Sequence, residues 1–365
     1  MVAERIAIVD PGSFVLPYDF HLVKALAGRG QAVDFYGSTT RYNGEFLDAM
    51  RVVPGVMVSA RAISSSVASR WRGALAYGLQ LLSLLLNARR YALMNLQFSG
   101  FWPAEWLVFG LLQSKFVFTV HNAVPHGFEG LQHGPTRRLA KLARTLVFVS
   151  EATREDFLRR YGEAFRAKAT LLPHGLLPVT PTSPVVPYTT DAVPNSIVFW
   201  GRVQPYKGVE LFADLSRSSE VERRGLALAV HGAWAPELAP LRDQLKLLGV
   251  QVHDSFLDDQ QLLALLNTDA VFLLPYQHAS QSGVLYALLN HGRLFFCTDT
   301  GDLGAFMRRH GLEGLLLRDR SPEAVLACLD HLATHRDGVM HRLAAAQSAL
   351  RWEQLLAESG PIYRA

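Results

Sequence analysis

The chain has 365 residues, of which 49% are hydrophobic and 19% are charged, and its formal net charge is +4. This composition is too apolar for a disordered chain, and the length predicts two domains at roughly 150 residues each. The 36 basic residues are dispersed without a run of five or six cations, which argues against nucleic-acid binding.

The N-terminus and the cysteines indicate a compartment. The opening residues MVAERIAIVD lead into a strand and lack the pattern of a signal peptide. Cys297 and Cys328 form neither a CxxC motif nor a zinc-ligand spacing, and two free thiols suit a reducing environment. We therefore expect a cytoplasmic protein.

Short apolar strands alternate with amphipathic helices through the first half of the chain. The predicted elements are a strand at 5–9, a helix at 19–26 and strands at 32–36, 92–96, 115–121, 146–150 and 169–172. Such alternation is typical of a parallel α/β sheet with helices on both faces.

A proline-rich segment at 176–195 separates this half from a second α/β series. Its five prolines exclude a buried strand or a helix interior and predict an extended linker. The second series has predicted strands at 197–201, 226–231, 250–256, 270–275 and 294–297, and helices at 209–216, 259–266, 283–289 and from 322 to about 358. The sequence thus predicts an α/β fold with two Rossmann-like, doubly wound domains that face an interdomain cleft.

Two cations follow the first strand of the second series. Arg202 and Lys207 lie in a loop that begins at Gly201 and ends at Gly208. Arginine can hold phosphate oxygens in a bidentate way and lysine supplies a point charge, so the loop suits a diphosphate. Two solvated surface cations are the alternative explanation.

A polar turn after the strand at 270–275 is a second candidate for anion binding. Ser280 or Ser282 can cap the helix that begins near Gly283 and Val284. The free N–H groups and the dipole of a helix start favour an anion, although an ordinary capped helix has the same pattern. Together the cationic loop and this helix start indicate a nucleoside diphosphate.

In the first half, polar residues follow the strand at 115–121. His121 and Asn122 end that strand, and His126 follows with Glu129 nearby. Histidine can bind a sugar hydroxyl or act as a base near neutral pH, whereas a structural role is the alternative. His174 precedes a glycine, just before the linker, which suits a hinge or a ligand contact.

The loop after the first strand is a further candidate site. Gly12 and Ser13 permit a tight turn, and Asp19 and His21 lie at the start of the next helix. We expect acceptor binding or a general base here. A simple N-terminal helix charge is the alternative explanation for Asp19.

Residues 70–90 form an apolar segment with arginines at both ends and Trp71 near its start. Such flanks suit attachment to a membrane surface, but the apolar stretch is too short and too interrupted to span one. A buried core helix is the alternative and fits the same pattern.

Together these segments resemble the glycosyltransferases of the GT-B fold, and within them the GT4-like group. Gly201–Gly208 resembles the donor-phosphate motif, and 274–292 resembles the donor-binding strand, turn and helix. Ser150-Glu151 and His174-Gly175 match two further family positions, and Arg351-Trp352-Glu353 resembles a tail helix that crosses back to the first domain.

The resemblance departs from the family at two glutamates, which typically lie eight positions apart. The first falls among Ala279, Ser280 and Gln281 and the second near Ala287, so neither is present. A Ser-Gly variant of this kind is similar to the xanthan-type β-mannosyltransferases. Typical GT4-like enzymes retain anomeric configuration and the xanthan-type enzymes invert it, so both outcomes stay open.

The resemblance implies a division of the chain and a set of functional residues. The expected domains are 1–175 for the acceptor, a linker at 176–195, 196–345 for the donor, and a crossover helix at 346–365.

The implied catalytic residues are His121, Asp19 and His126. The implied diphosphate-binding residues are Arg202, Lys207, Ser282, Gly283 and Val284. The implied donor sugar or nucleotide residues are Asn122, His174, Gly175, Gly201, Phe256, Tyr276, Ser280 and Gln281. The implied acceptor residues are Gly12, Ser13 and His21.

The expected reaction transfers a hexose from GDP-mannose or a UDP-hexose to a saccharide acceptor, without a bound metal or other cofactor. A polyprenyl-diphosphate-linked acceptor would place the protein on the inner face of the plasma membrane, in bacterial polysaccharide or exopolysaccharide assembly. The alternatives are a degenerate GT-B subunit that binds a nucleotide or a partner, and a nucleotide-sugar epimerase.

Overall fold

The computed structural model describes residues 5–41, 44–100, 102–124, 133–188, 194–278, 282–358 and 362–363. The chain divides into two compact units. The first comprises Met1–Gly175 together with Leu350–Ala365, and the second comprises Leu176–Ala349.

The first unit is built on a seven-stranded sheet in which every pairing is parallel. Its elements are β1 (Arg5–Asp10), α1 (Leu16–Gly28), β2 (Ala32–Ser38), α2 (Gly44–Arg51), β3 (Val56–Arg61), α3 (Arg70–Leu86), β4 (Tyr91–Leu96), α4 (Pro103–Leu111), β5 (Phe116–Val120), α5 (Gly134–Leu142), β6 (Thr145–Phe148), α6 (Glu151–Tyr161) and β7 (Ala169–Leu171). The strand order is β3-β2-β1-β4-β5-β6-β7, so the winding direction reverses between β1 and β4.

The second unit repeats this arrangement with a six-stranded parallel sheet. Its elements are β8 (Ser196–Trp200), α7 (Leu211–Arg217), α8 (Ser219–Arg223), β9 (Ala227–His231), α9 (Ala239–Leu247), β10 (Gln251–His253), α10 (Asp259–Leu266), β11 (Ala270–Leu274), α11 (Gly283–Asn290), β12 (Phe295–Thr298), α12 (Gly301–Arg309), β13 (Leu316–Leu317) and α13 (Pro322–Ala349). The order β10-β9-β8-β11-β12-β13 reverses between β8 and β11. The predicted α/β fold with two doubly wound sheets is confirmed.

The central strands are buried along their whole length. All five residues of β5 and of β11 are buried, as expected for parallel strands that are covered by helices on both faces. Such strands appear in sequence as short, continuous apolar runs, which is why they could be predicted.

Local chemistry accounts for the elements whose ends differ from the prediction. Helix α1 begins at Leu16, three residues earlier than predicted, because Pro17 is tolerated in a first turn. The strand predicted at 250–256 ends at His253, where the Nε2 of His253 shares a 2.7 Å hydrogen bond with the hydroxyl of Ser255. Helix α10 begins as predicted because Asp258 and Gln261 form a capping box.

The proline-rich segment is fastened to the second unit. The backbone N–H of Val186 donates to the carbonyl of Asn290 at 2.8 Å, and the side chain of Asn290 donates to the carbonyl of Pro184 at 3.2 Å. The amide of Gln347 also donates to the carbonyl of Val186, at 2.8 Å. This part of the segment is therefore extended chain on the surface of the second unit, not a free spacer.

The C-terminal segment returns to the first unit, as the fold prediction requires. Helix α14 (Trp352–Glu358) packs on α1, and the ring of Trp352 lies 4.8 Å from that of Tyr18. Beyond it, the hydroxyl of Tyr363 accepts a hydrogen bond from the side chain of Asn95 at 2.6 Å.

Helix α3 has two apolar faces, only one of which is buried. Residues such as Tyr77, Leu81 and Leu84 face the core. The exposed large side chains of α3 are Trp71, Leu75, Leu79, Leu82 and Leu86. In the described part of the chain, no helix has the length and hydropathy that crossing a membrane requires. A simple core helix is therefore not an adequate description of 70–90.

Candidate functional site

The cationic loop of the second unit lies at the reversal point of its sheet. Gly208 has φ +70°, and a Cβ at this position would overlap the carbonyl oxygen of Pro275, so only glycine fits. The backbone N–H of Gln277 donates to the carbonyl of Tyr206 at 2.8 Å. These contacts hold the loop that follows β8 against the end of β11.

Lys207 is held between aromatic rings in this loop. Its Nζ lies 3.5 Å from the centre of the Tyr276 ring and 5.0 Å from that of Tyr206. Among the described residues no carboxylate forms an ion pair with it. Burial lowers the pKa of Lys207 to about 7, because desolvation disfavours the ammonium form. A bound diphosphate would supply the anionic partner that this ammonium lacks.

The start of α11 lies next to the same loop. A Cβ built on Gly201 would be 3.5 Å from the Cγ2 of Val284, so the two loops are in contact. Ser282 is the N-cap, but its hydroxyl donates to the hydroxyl of Tyr276 at 3.4 Å instead of capping the helix. The N–H groups of Gly283 and Val284, at the first two positions of α11, have no acceptor within the helix. Arg202, which follows Gly201, is exposed.

Other polar and aromatic residues follow β9 and β10. His231 ends β9 and His253 ends β10, and their rings stack at 5.8 Å. Burial, and then the charge of His253, lower the pKa of His231. Phe256 is 66% exposed, three residues beyond β10. The sequence analysis missed both histidines, which the rule that ligands bind at strand ends could have found.

In the first unit, His121 follows directly after β5 and is buried. Its Nε2 and the Oε1 of Gln97 are 2.9 Å apart, which fits an Nε2–H that donates to the amide oxygen. In that tautomer Nδ1 is an acceptor, and this buried atom has no hydrogen-bond partner among the described residues. Burial, and then the charge of His174, lower the pKa of His121 to about 3. The ring is therefore neutral at ordinary pH.

Tyr18 brings three of the predicted residues together. Its ring contacts His121 at 4.9 Å and His174 at 5.0 Å, both edge to face. The backbone of Gly175 packs against the indole of Trp352, which also contacts Tyr18. Burial lowers the pKa of His174 to about 4, and its Nδ1 lies 2.9 Å from the carbonyl of Gly175. Asn122, the residue after His121, is half-buried.

Asp10 and Asp19 form a buried carboxyl pair at the end of β1. Both side chains are fully buried. Burial raises the pKa of Asp10 to about 6, although the backbone N–H of Val15 donates to its carboxylate at 3.0 Å and lowers that pKa. Burial, and then the charge of Asp10, raise the pKa of Asp19. The folded state therefore favours the protonated form of Asp19.

This pair predicts a pH-dependent gain of stability in Asp19→Asn. The pKa of Asp19 is higher in the folded protein than in the unfolded chain, where it is about 3.9. The stability of the wild type therefore falls as the pH rises from the pKa of the unfolded state through that of the folded state. Asparagine has a similar size and cannot ionise. We expect Asp19→Asn to melt a few degrees above the wild type at pH 8, at about 2–4 °C per kcal/mol, and the gain to vanish near pH 4.

Thermal unfolding between pH 4 and pH 8 measures this difference. Asp48→Asn serves as the matched control, since Asp48 is exposed and pairs with Arg51 on the surface. A melting temperature for Asp19→Asn that is below the wild-type value at pH 8 would contradict the raised pKa of Asp19.

The predicted acceptor residues Ser13 and His21 both contact neighbouring groups of the first unit. The hydroxyl of Ser13 donates to the carbonyl of Ser38 at 2.9 Å and accepts from its N–H at 2.8 Å. His21 packs edge-on against Phe20 at 4.9 Å, and burial lowers its pKa to about 3. Its buried Nε2 has no hydrogen-bond partner in the described part of the chain. Gly12 lies between Asp10 and Ser13 in the same loop.

Some functional candidates lie outside the described residues, and others were not predicted. His126, Ser280 and Gln281 are outside the described ranges, as is Glu129. The sequence analysis did not identify Gln97, although it follows β4 as closely as His121 follows β5. The hydroxyl of Thr119 donates a hydrogen bond to the side chain of Asn95, which in turn donates to the hydroxyl of Tyr363. This chain of hydrogen bonds could not be predicted, because Asn95 and Tyr363 are 268 positions apart.

Comparison with known proteins identifies two family models. Residues 20–176 match the model described as Glycosyltransferase Family 4, and residues 194–335 match Glycosyl transferases group 1. No match was found among curated protein sequences.

Solved structures similar to this chain cover almost its whole length. Sucrose-phosphate synthase from Thermosynechococcus elongatus has a TM-score of 0.69 at 15% identity, over 99% of this chain and 98% of that one. HepE from Anabaena, in complex with UDP and glucose, has a TM-score of 0.65 at 16% identity, over 97% and 98%. WaaG, a glycosyltransferase involved in lipopolysaccharide biosynthesis, has a TM-score of 0.60 at 15% identity, over 99% and 100%. At these identities the likeness establishes the fold.

Proposed function

We infer that this chain, which belongs to the GT4-like glycosyltransferases of the GT-B fold, uses its second unit to bind a nucleoside-diphosphate sugar and its first unit to bind a saccharide acceptor. One observation carries the donor assignment. The ammonium of Lys207 has no carboxylate partner among the described residues and lies beside the start of α11, at the sheet reversal. Helix starts and buried cations at this position of a doubly wound sheet are suited to a diphosphate.

The same groups would stabilise the leaving group. When the bond between the sugar and the diphosphate breaks, negative charge develops on the diphosphate oxygens. Lys207, Arg202 and the N–H groups at Ser282, Gly283 and Val284 are fixed donors for that charge. Their contribution is electrostatic, since each donates a hydrogen bond without transferring a proton to the sugar.

In the first unit, His121 is the residue that we assign to the reacting sugar or hydroxyl. Its Nδ1 is a buried acceptor that lacks a partner in the described chain, and its low pKa keeps it unprotonated. It can accept a hydrogen bond from a sugar hydroxyl. Whether it also takes the proton depends on whether the reaction inverts or retains configuration, and His126 stays a candidate base for the inverting route.

The donor is a GDP-sugar or a UDP-sugar in this proposal. The Ser-Gly sequence at Ser282-Gly283 supports GDP-mannose by its resemblance to the xanthan-type enzymes. The similar fold of HepE, whose structure contains UDP and glucose, supports a UDP-hexose. The exposed ring of Phe256 and the stacked pair His231 and His253 are the aromatic groups that we assign to the nucleobase.

We assign the acceptor to a lipid-linked saccharide because the first unit has a surface suited to an anionic bilayer. The five exposed apolar residues of α3 recur every three or four positions along one face of the helix. Helix α4 packs against α3 and adds the exposed Leu107 and Leu111. Amphipathic helices of this kind lie in the interfacial region of membranes. A membrane-bound acceptor suits the proposed role in polysaccharide assembly.

The charges around this face have one sign. Between Asp48 and Glu105 the sequence has six arginines and no acidic residue. Four of them are exposed: those at positions 70 and 72 lie in the first turn of α3, and those at positions 89 and 90 follow its end. The carboxyl of Glu105 is buried and accepts a hydrogen bond from the hydroxyl of Tyr77 at 2.7 Å. The surface is therefore complementary to acidic lipid headgroups.

We expect the protein to float with vesicles that contain phosphatidylglycerol and to float less with neutral vesicles or at high salt. Leu79→Glu should lower the bound fraction by at least about tenfold. It removes an exposed leucine that would enter the bilayer, and it adds a negative charge that acidic headgroups repel. Leu247→Glu is the matched control, since Leu247 is 90% exposed in the second unit. The membrane-binding role of α3 would be contradicted if both variants floated equally, or if the wild type did not float with the vesicles.

A transfer assay tests the proposed function itself. Purified protein is incubated with radiolabelled GDP-mannose or UDP-glucose and with bacterial membrane lipids as the source of acceptor. The proposal expects label in the lipid fraction and release of the nucleoside diphosphate. Interconversion of the free nucleotide sugars would instead indicate an epimerase, and no reaction with any donor would favour a subunit without catalytic activity.

A further inference from the structure

Phe14 is a large apolar residue that the first unit leaves in solvent at the reversal point of its sheet. Its side chain is 65% exposed, four residues beyond β1. Ligands of open α/β sheets bind in the crevice outside the strand ends at this point, between β1 and β4. A single exposed apolar residue is ordinary at a protein surface. It is the location of Phe14 at this crevice that calls for an explanation.

The loop before Phe14 holds the ring in position. Ser13 has φ +51°, and it is the only non-glycine residue with a positive φ in the described ranges. Its two hydrogen bonds to the backbone of Ser38 fix that conformation. The ring of Phe14 lies over Gly12, where any Cβ would overlap it. Backbone strain of this kind persists where the surroundings impose it, and it clusters at ligand sites.

Phe14 is the outer member of a row of three rings. Its ring centre lies 5.5 Å from that of Phe98, with an interplanar angle of 56°. Phe98 follows β4, on the other side of the sheet reversal, and stacks on His121 at 5.2 Å and 16°. The row therefore leads from solvent to the buried histidine whose Nδ1 lacks a partner in the described chain.

We propose that Phe14 and Phe98 form an aromatic platform on which one hexopyranose ring of the acceptor stacks. This inference rests on the proposed function and names a part of the acceptor site. A pyranose has a face of C–H groups and a rim of hydroxyls. The aromatic rings can pack against the face of C–H groups. The Nδ1 of His121 can accept a hydrogen bond from one of the hydroxyls. Ligand sites commonly combine aromatic walls with a few polar groups in this way.

Saturation-transfer NMR on the full chain tests the platform with three disaccharides as probes: cellobiose, maltose and mannobiose. Irradiation of the protein's aromatic protons should transfer saturation to the C–H protons of one pyranose face. Phe14→Ala should reduce this transfer about fivefold or more, and Phe14→Trp should restore it. Met57→Ala is the matched control, because Met57 is 59% exposed on β3 in the same unit.

Two outcomes would overturn the platform. One is saturation transfer that persists in Phe14→Ala, and the other is no transfer to any disaccharide from the wild type. Titration of each variant with GDP-mannose and UDP-glucose separates this result from the proposed function. If the wild type and Phe14→Ala bind a donor equally well, the proposed function is supported whatever the disaccharides do. If neither protein binds a donor, the proposed function itself is wrong.

Discussion

Replacing Lys207 with methionine is expected to weaken the binding of the nucleotide-sugar donor by between about tenfold and a hundredfold. The ammonium lies 3.5 Å from the Tyr276 ring and has no carboxylate partner among the described residues, so the diphosphate would become its counter-ion. A hydrogen bond to a charged group contributes about 1.5–3 kcal/mol, which corresponds to this range of affinity. Methionine keeps an unbranched side chain, one atom shorter, and removes the charge together with its N–H donors.

The depressed pKa of Lys207 also predicts how donor affinity changes with pH. The free protein has a Lys207 pKa of about 7, and a bound diphosphate favours the ammonium form and raises that pKa. Affinity should therefore be constant below pH 7 and should fall by up to tenfold per pH unit above it. Titration calorimetry between pH 6 and pH 8.5 measures this slope.

Two variants act as controls for Lys207. Lys207→Arg keeps a permanent charge and should flatten the pH dependence, since arginine does not titrate in this range. Lys246→Met removes an exposed lysine from α9 of the same unit and should leave the affinity unchanged. A donor affinity in Lys207→Met that equals the wild-type value would remove Lys207 from the donor site.

Replacing His121 with alanine is expected to lower the turnover number by about a hundredfold or more while nucleotide affinity stays unchanged. The residue lies in the first unit, whereas the groups that we propose to bind the diphosphate lie in the second. Losing a group that positions or deprotonates a reacting hydroxyl typically costs 10²–10⁴ in rate, at the order-of-magnitude level. Because the pKa of His121 is about 3, the turnover number of the wild type should have no inflection from this residue between pH 5 and pH 9.

Variants of His121 and Gln97 separate hydrogen bonding from proton transfer. His121→Asn retains an acceptor and should recover part of the lost rate if Nδ1 only accepts a hydrogen bond. Gln97→Glu places a carboxylate 2.9 Å from Nε2 and should raise the pKa of the ring, so that an inflection enters the pH profile. Full activity in His121→Ala would show that the residue is structural.

The sequence was sufficient to predict the two sheets and to place the candidate site residues at strand ends. Buried parallel strands are continuous apolar runs, and the residues that follow them, such as Lys207 and His121, could be assigned to strand ends. The boundaries were less predictable because they depend on side-chain hydrogen bonds, as at His253, and on the proline in the first turn of α1.

Contacts between distant parts of the chain could not be predicted. The raised pKa of Asp19 depends on its burial beside Asp10. The position of Phe14 depends on the hydrogen bonds between Ser13 and Ser38, which ends β2. The apolar periodicity of 70–90 did not reveal that α3 leaves five large side chains in solvent, because periodicity does not indicate which faces of a helix are covered. The likeness to the GT4-like group supplied the reaction, which composition and spacing alone did not.

Titration calorimetry with GDP, UDP, ADP and dTDP and their common sugars tests the central claim most directly. The account predicts that one of these diphosphates and its sugar bind at one site per chain, and that Lys207→Met loses most of this affinity while Lys246→Met retains it. If no nucleotide binds the wild type, the second unit is not a donor site and the chain is a GT-B subunit with another ligand or partner.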